Sequence, residues 1–227
     1  MKEKTMEHKR LTLFAGHYGS GKTNIAVNYA MLLADEGKKV CIADLDIVNP
    51  YFRTKDSEKE LAEKGITLIS PQYANTNVDL PALPAESYRL VQDKSVFGVM
   101  DIGGDDRGAY ALGRFSEAIR AEGNYRMAFV INRHRPLTST VEDTLEIMRE
   151  IERASGIRFN CIVNNSNIGT ETTAQTVLDS IEYTEAVSLA TGLPVWFHAV
   201  EKSIVKELSG MPILPLTLQK KYFDLPQ

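Results

Sequence analysis

The sequence predicts an α/β fold of three layers, α/β/α, with a mainly parallel central sheet. Three observations predict it. A short phrase recurs along the chain: the end of a helix, a glycine, then an apolar strand. The apolar runs after those glycines are short, as expected of parallel strands covered on both faces. A glycine-rich turn, Gly16 to Gly21, joins the first apolar run to a helical pattern.

Residues 11–15, LTLFA, form a buried strand; residues 16–21 form the turn, and a helix starts at Lys22 with Ile25, Tyr29, Leu32 and Leu33 on one stripe. The recurring phrase follows as ADEGKKVCIAD at Gly37 and AEKGITLIS at Gly65. Residues 71–84, PQYANTNVDLPALP, contain three prolines and make a long connection; such loops either carry function or merely join two elements. Val96, Phe97, Val99 and Met100 form the next strand, ending in Asp101. The phrase returns as AEGNYRMAFVI at Gly123, ASGIRFNCIVN at Gly156 and ATGLPVWF at Gly192. Between the first two of these lies a helix with Leu137, Val141, Leu145, Met148 and Ile151 on one stripe, and Ser139 with Glu142 at capping-box spacing. At each joint a glycine just past a helix takes the left-handed conformation that closes the last turn. No linker or charge block interrupts the pattern, so one nucleotide-binding domain is expected over residues 1–227, with 1–9 as a flexible tail.

Composition narrows the function. A net charge of −4 over 227 residues argues against a protein that coats nucleic acid. Cys41 and Cys161 each sit in an apolar run and are expected to be buried thiols of a reducing compartment. With no Cys-x-x-Cys pair, a cysteine-ligated metal within one chain is not expected. The charged N-terminus lacks a signal-peptide core, and no apolar run approaches the ~20 residues that span a bilayer, so a cytoplasmic protein without a membrane anchor is expected.

The turn has phosphate-binding spacing, Gly16-x-x-x-x-Gly21-Lys22-Thr23, between a strand and a helix. Its residues Gly16, His17, Tyr18, Gly19, Ser20 and Gly21, continued by Lys22, Thr23 and Asn24, would wrap a phosphate with backbone amides at a helix N-terminus. Lys22 would reach the terminal phosphates, and the Thr23 hydroxyl would ligate Mg²⁺. The second strand ends in Asp44 and Asp46, which overlook the crevice at its carboxyl end; one of the two is open to a turn role instead. Asp101, followed by Gly103 and Gly104, is placed to organise Mg²⁺ through water, with the glycines free to move toward a terminal phosphate. Asp105 and Asp106 fit a solvated helix start.

These motifs, in this order, resemble the MinD/ParA class (SIMIBI class) of P-loop ATPases, which includes the nitrogenase iron protein, the arsenite-pump ATPase and metal-insertion chaperones. The resemblance covers nearly the whole chain. DLDIVNPYFR, DLPALP and DIGGDDRGAYALGRF are similar to a bacterial branch of MinD-like or ParA-like ATPases. It implies ATP and Mg²⁺ as cofactors, Lys22 and Asp46 as catalytic residues, and Thr23, Asp46 and Asp101 around the metal. It also implies that Asn164 or Asn165 reads adenine and that the segment from Pro194 packs beside the base. No Asn-Lys-x-Asp guanine signature is present, which favours ATP over GTP.

Typical members carry a second lysine directly after the first loop glycine, which reaches a partner's phosphates across an ATP-bridged dimer. Here that position is His17. Either His17 contacts phosphate when protonated, or another residue such as Arg53 or Arg107 supplies the charge, or the sandwich dimer does not form; a solvated loop histidine is the plain reading. The cationic turn Asn132 to Pro136, INRHRP, touches phosphate, a partner or nucleic acid, or only starts the next helix. Trp196 and His198 fit core packing or base stacking better than catalysis.

Two function classes follow. The first is a slow, Mg²⁺-dependent ATPase that switches an unidentified protein partner, with a nucleotide-dependent homodimer as one form. The second is an ATP-dependent small-molecule kinase, ligase or amidotransferase with the loop from Tyr73 to Ala85 as its substrate wall. The C-terminal run ILPLTLQKKYFDLPQ is proline-broken, unlike a basic membrane-binding helix.

Overall fold

The computed structural model describes residues 6–46, 54–70, 85–104 and 106–218, with Lys55, Ala85, Glu86, Asp106 and Arg107 described by backbone alone. The chain runs β1 (Leu11–Ala15), α1 (Lys22–Asp35), β2 (Val40–Leu45), α2 (Glu58–Glu63), β3 (Thr67–Ile69), α3 (Arg89–Gln92) and β4 (Phe97–Ile102). It continues through α4 (Asp106–Gly113), α5 (Ser116–Glu122), β5 (Tyr125–Ile131), α6 (Val141–Ser155), β6 (Cys161–Asn164), α7 (Ala174–Leu178), α8 (Ile181–Thr191), β7 (Val195–Glu201) and β8 (Ile213–Leu216).

The strands form one sheet in the order β3-β2-β4-β1-β5-β6-β7-β8, and every described pairing is parallel. Helices on both faces complete the three layers. Leu11, Leu13 and Ala15 alternate with Phe14 across β1, so each face of the sheet has its own core. One core gathers Leu112, Phe115, Ile119, Ile151 and Val187 from the helices after β4; the other gathers Ile25, Tyr29 and Leu33 from α1 and Leu61 from α2. All five joint glycines adopt positive φ, from 67° at Gly123 to 78° at Gly37. Cys41 and Cys161 are free and buried, on opposite faces.

Several expectations shift by a residue or a turn. The α6 cap is Thr140, whose side chain accepts from the Asp143 amide, rather than Ser139 with Glu142. Pro136 opens a 3-10 turn over Pro136–Thr138, so the α-helix starts later and Leu137 is left outside it, 52% exposed. The strand β8 follows the proline-containing run at the C-terminal side: Pro215 pairs against Val200 on an edge strand, where a missing N–H is tolerated. Residues 6–9, expected as tail, pack on the domain where described: Met6 lies against the α1-side core, and His8 Nδ1 is 2.9 Å from the Tyr29 hydroxyl. The connection at 71–84 lies outside the described residues. No described helix is long and apolar enough to cross a membrane.

Candidate functional site

The strand order makes β1 central, flanked by β4 and β5, so the loop after β1 lies where the chain's course across the sheet reverses. In open parallel sheets, ligands bind at such a point, beyond the carboxyl ends of the strands. Three groups meet there: the loop itself, the acids ending β2 and β4, and the polar turns after β5 and β6.

The loop spans residues 16–21. Gly21 sits at the N-cap of α1 in the left-handed region (φ 87°, ψ 22°), with no side chain capping the helix. The first-turn amides of α1 are thereby left without a side-chain acceptor, unlike those of α6, capped by Thr140, and α7, where Thr173 and Thr176 form a capping box. An anion is the natural partner for amides so exposed. A Cβ at Gly21 would also fall 2.2 Å from Asn165 Nδ2, so this position admits only glycine.

Side-chain donors hold the loop's carbonyls. Asn165 Nδ2 donates to the Ser20 carbonyl at 2.6 Å, Arg135 Nε to the Gly19 carbonyl at 2.9 Å, and Lys22 Nζ to the His17 carbonyl at 3.2 Å. Lys22 and Thr23 are both buried, Tyr18 is 52% exposed, and Asn24 accepts from Asn28 one turn along α1. His17 is half-buried, and burial, then the nearby Lys22 charge, lower its pKa below the ordinary histidine value. The ring is therefore neutral near pH 7, which works against a permanent phosphate contact by His17 in the free protein.

The acids crowd at the ends of β2 and β4, where Asp44 pairs in register with Asp101. Asp44 is buried and bridges the two ends of the segment after β2: Oδ1 accepts from the Asp46 amide at 3.0 Å and Oδ2 from the Thr54 amide at 3.3 Å. Asp44 thus takes the turn role left open between it and Asp46. Burial, then the Asp101 charge, push the Asp44 pKa well above the carboxylate range. Asp101 is fully buried; burial raises its pKa too, and Lys22 with the Thr23 and Thr54 hydroxyls oppose the rise. Its Oδ2 accepts from Thr54 Oγ1 at 3.3 Å, whereas Oδ1 has no hydrogen-bond partner among the described residues. The buried Ser20 hydroxyl is likewise unpartnered there.

Behind Asp101, Gly104 abuts the loop: a Cβ there would lie 2.5 Å from the Tyr18 amide nitrogen. Any movement of the segment after β4 is therefore felt by the phosphate loop directly.

The predicted base-reading residues divide. Asn165 reaches the site, but its amide clamps the loop from behind. Asn164 is committed to the interior: Nδ2 donates to Ser180 Oγ at 2.8 Å and lies 3.0 Å from His198 Nδ1, while Oδ1 accepts from the Ser166 amide. The Asn164 amide is thus held by protein partners, and the expected adenine contact would require releasing one of them. Pro194 precedes β7, and its carbonyl accepts from Ile162 at the start of β6. That is the amino end of the strands, opposite the loop, and it removes Pro194 from the site. Trp196 is half-buried against the α1-side core, its ring stacked parallel to Phe14 at 6.1 Å with the Arg126 guanidinium 4.1 Å away. Arg53 and the Arg107 side chain lie outside the described residues.

Sequence reasoning missed Thr54, and named Asn132 only as part of the cationic turn. Thr54 acts through Asp101 and Asp44, a contact that only the fold reveals. Asn132, fully buried, shapes the turn after β5 by accepting the His134 amide on Oδ1 at 3.0 Å. Its place at the end of an apolar run, beside the cationic turn, was the available signal. Among the described residues no group of three or more His, Cys, Asp or Glu side chains forms a metal cage. Chemically, the arrangement can hold an anion on backbone amides and Lys22, and a hydrated cation near Thr23 and Asp101.

Comparison with known proteins agrees with this geometry. Residues 11–195 match the family model described as the CobQ/CobB/MinD/ParA nucleotide binding domain. Among solved structures, the cell division protein FtsY of Thermotoga maritima is similar over 86% of this chain and 62% of its own, with 18% identity and a TM-score of 0.57. FtsY of Mycoplasma mycoides gives the same identity and score over 87% and 62%. Signal recognition particle 54 kDa protein of Aeropyrum pernix, in complex with GDP, is similar over 85% of this chain and 41% of its own, with 19% identity and a TM-score of 0.53. The chain thus spans about three fifths of the FtsY chains and two fifths of the 54 kDa protein, and identities this low establish the three-layer P-loop fold alone. No curated relative matches the chain.

Proposed function

The chain belongs to the CobQ/CobB/MinD/ParA nucleotide-binding family, and we propose that it works there as a Mg²⁺-dependent, slowly hydrolysing ATP switch for a protein partner. The observation that carries the proposal is the pairing of an uncapped α1 N-terminus with a fully buried Asp101 whose Oδ1 is unpartnered. Thr23 and Asp101 would hold Mg²⁺, Thr23 by its hydroxyl and Asp101 through water. A cation held there would supply charge to offset that of the phosphates.

The loop amides and Lys22 bind and orient the phosphates. Asp46, next to the Asp44 anchor, positions the attacking water. The contact of Gly104 with Tyr18 couples the segment after β4 to the phosphate site, which is the element a switch needs. Slow turnover fits a site that has His17 in place of the lysine the resemblance leads one to expect. ATP is favoured because the β6 end reads Asn164-Asn165-Ser166-Asn167, without a guanine-reading aspartate after a lysine.

The test is phosphate release from MgATP and MgGTP by the purified protein. Expected are slow ATP turnover, weaker use of GTP, and an Asp46→Asn variant that binds ATP but turns over at least tenfold more slowly. A preference for GTP would overturn the base assignment. Release driven by an added metabolite would favour the small-molecule enzyme instead.

A further inference from the structure

His17 stands where the family resemblance leads one to expect a lysine, and the neutral ring leaves Lys22 facing the phosphates without that second charge. The turn after β5 offers a replacement from the same chain. Asn132 fixes this turn from inside: its carbonyl accepts the Arg135 amide at 3.1 Å and the Thr138 hydroxyl at 2.7 Å. Pro136 then commits the backbone to a 3-10 turn. Arg135 is thereby carried to the loop rim, where Nε donates to the Gly19 carbonyl at 2.9 Å.

Gly19 turns the loop at this contact with φ +75°, a conformation that favours glycine, and a Cβ there would only touch the guanidinium, at 3.4 Å from Arg135 Nε. One edge of the guanidinium is fixed on the loop, while its terminal nitrogens have no protein acceptor among the described residues. Arg133, two residues earlier, is engaged elsewhere: its Nη1 donates to the Asp179 carbonyl at 2.6 Å, and its guanidinium lies 5.9 Å from the Tyr183 ring. A planar fork held along one edge loses little further freedom when it binds an anion on the other.

We propose that Arg135 is the second cation of the phosphate site, anchored through Nε on Gly19 and recognising the terminal phosphate of a bound nucleoside triphosphate with its Nη nitrogens. This rests on the reading of residues 16–23 as a nucleotide site. It makes the charge an intrinsic property of one chain, so that no partner lysine is needed for tight triphosphate binding.

The test is a calorimetric comparison of MgATP, MgADP, MgGTP and MgGDP binding to the parent, Arg135→Gln and Arg135→Lys, with the thermal midpoint of each unliganded protein as a folding control. Arg135→Gln is expected to weaken triphosphate binding roughly 10- to 100-fold while changing diphosphate binding less than threefold. Arg135→Lys is expected to recover part of the loss. Equal weakening of di- and triphosphates would assign Arg135 to loop shape alone and overturn the proposal, as would no change in either. A parent that binds none of the four, with Lys22→Ala behaving identically, would overturn the nucleotide site together with it.

Discussion

The two halves of the site are built by opposite means. On the β5–β6 side, donors meet acceptors: Asn165, Arg135 and Lys22 hold three carbonyls of the loop. On the β2–β4 side, like meets like: Asp44 and Asp101 lie side by side in register, both buried, with Asp46 close enough to raise both. In the first half these three carbonyls are held before any ligand arrives. The second crowds buried acids whose charged forms disfavour one another, and leaves an unpartnered oxygen, Asp101 Oδ1, which a cation and its water would relieve. Phosphate binding is thus preorganised in backbone geometry, whereas the metal side is completed only by its ligand.

The sharpest way to break the comparison is Gly21→Ala. The new Cβ would need a left-handed backbone and would strike the Asn165 amide 2.2 Å away. Nucleotide affinity is expected to fall more than about 100-fold, with on the order of 2–4 kcal/mol lost in stability, by calorimetry and denaturant unfolding. An unchanged affinity would mean the loop is not preorganised.

A gentler probe of the same half is Asn165→Ala, which leaves the Ser20 carbonyl without its donor. About 1–3 kcal/mol of stability and up to about tenfold in nucleotide affinity should be lost. If Asn165 read the base instead, the variant would lose preference between ATP and GTP rather than affinity for both.

The acid half predicts a pH effect with a definite sign. Both carboxyls are raised above the unfolded value near 3.8, so the folded chain binds more protons than the unfolded one. Their stabilising contribution is complete below about pH 4 and is lost as pH rises through the raised values. The unliganded protein should therefore lose stability from this pair between mildly acidic and alkaline pH. Asp101→Asn should flatten that slope by removing the charge beside Asp44. A variant slope as steep as the parent's would show that Asp101 contributes neither through its own proton nor through its charge beside Asp44.

The contrast also explains what the sequence made legible. The β1 strand, the loop and α1 emerge at the predicted boundaries because glycine spacing and an apolar run are local signals. The five glycine joints are local too, and all five close their helices as expected. Leu137 and the Ser139 cap shifted because a single proline, Pro136, delayed the helix, and β8 escaped because Pro215 masks an edge strand. Asn164, Asn165 and Pro194 came from the resemblance, and sequence order alone does not say which end of a strand a residue occupies or which way its amide turns. The Arg135 contact with Gly19 joins residues 116 positions apart, and no local pattern announces it.

The central claim, that residues 16–23 form a preorganised phosphate site centred on Lys22, is tested most directly by titrating MgATP into the parent and a Lys22→Ala variant. The expected result is one nucleotide bound per parent chain and at least about 100-fold weaker binding by the variant, with its unliganded thermal midpoint close to the parent's. Equal binding by both proteins, or none by either, would contradict it.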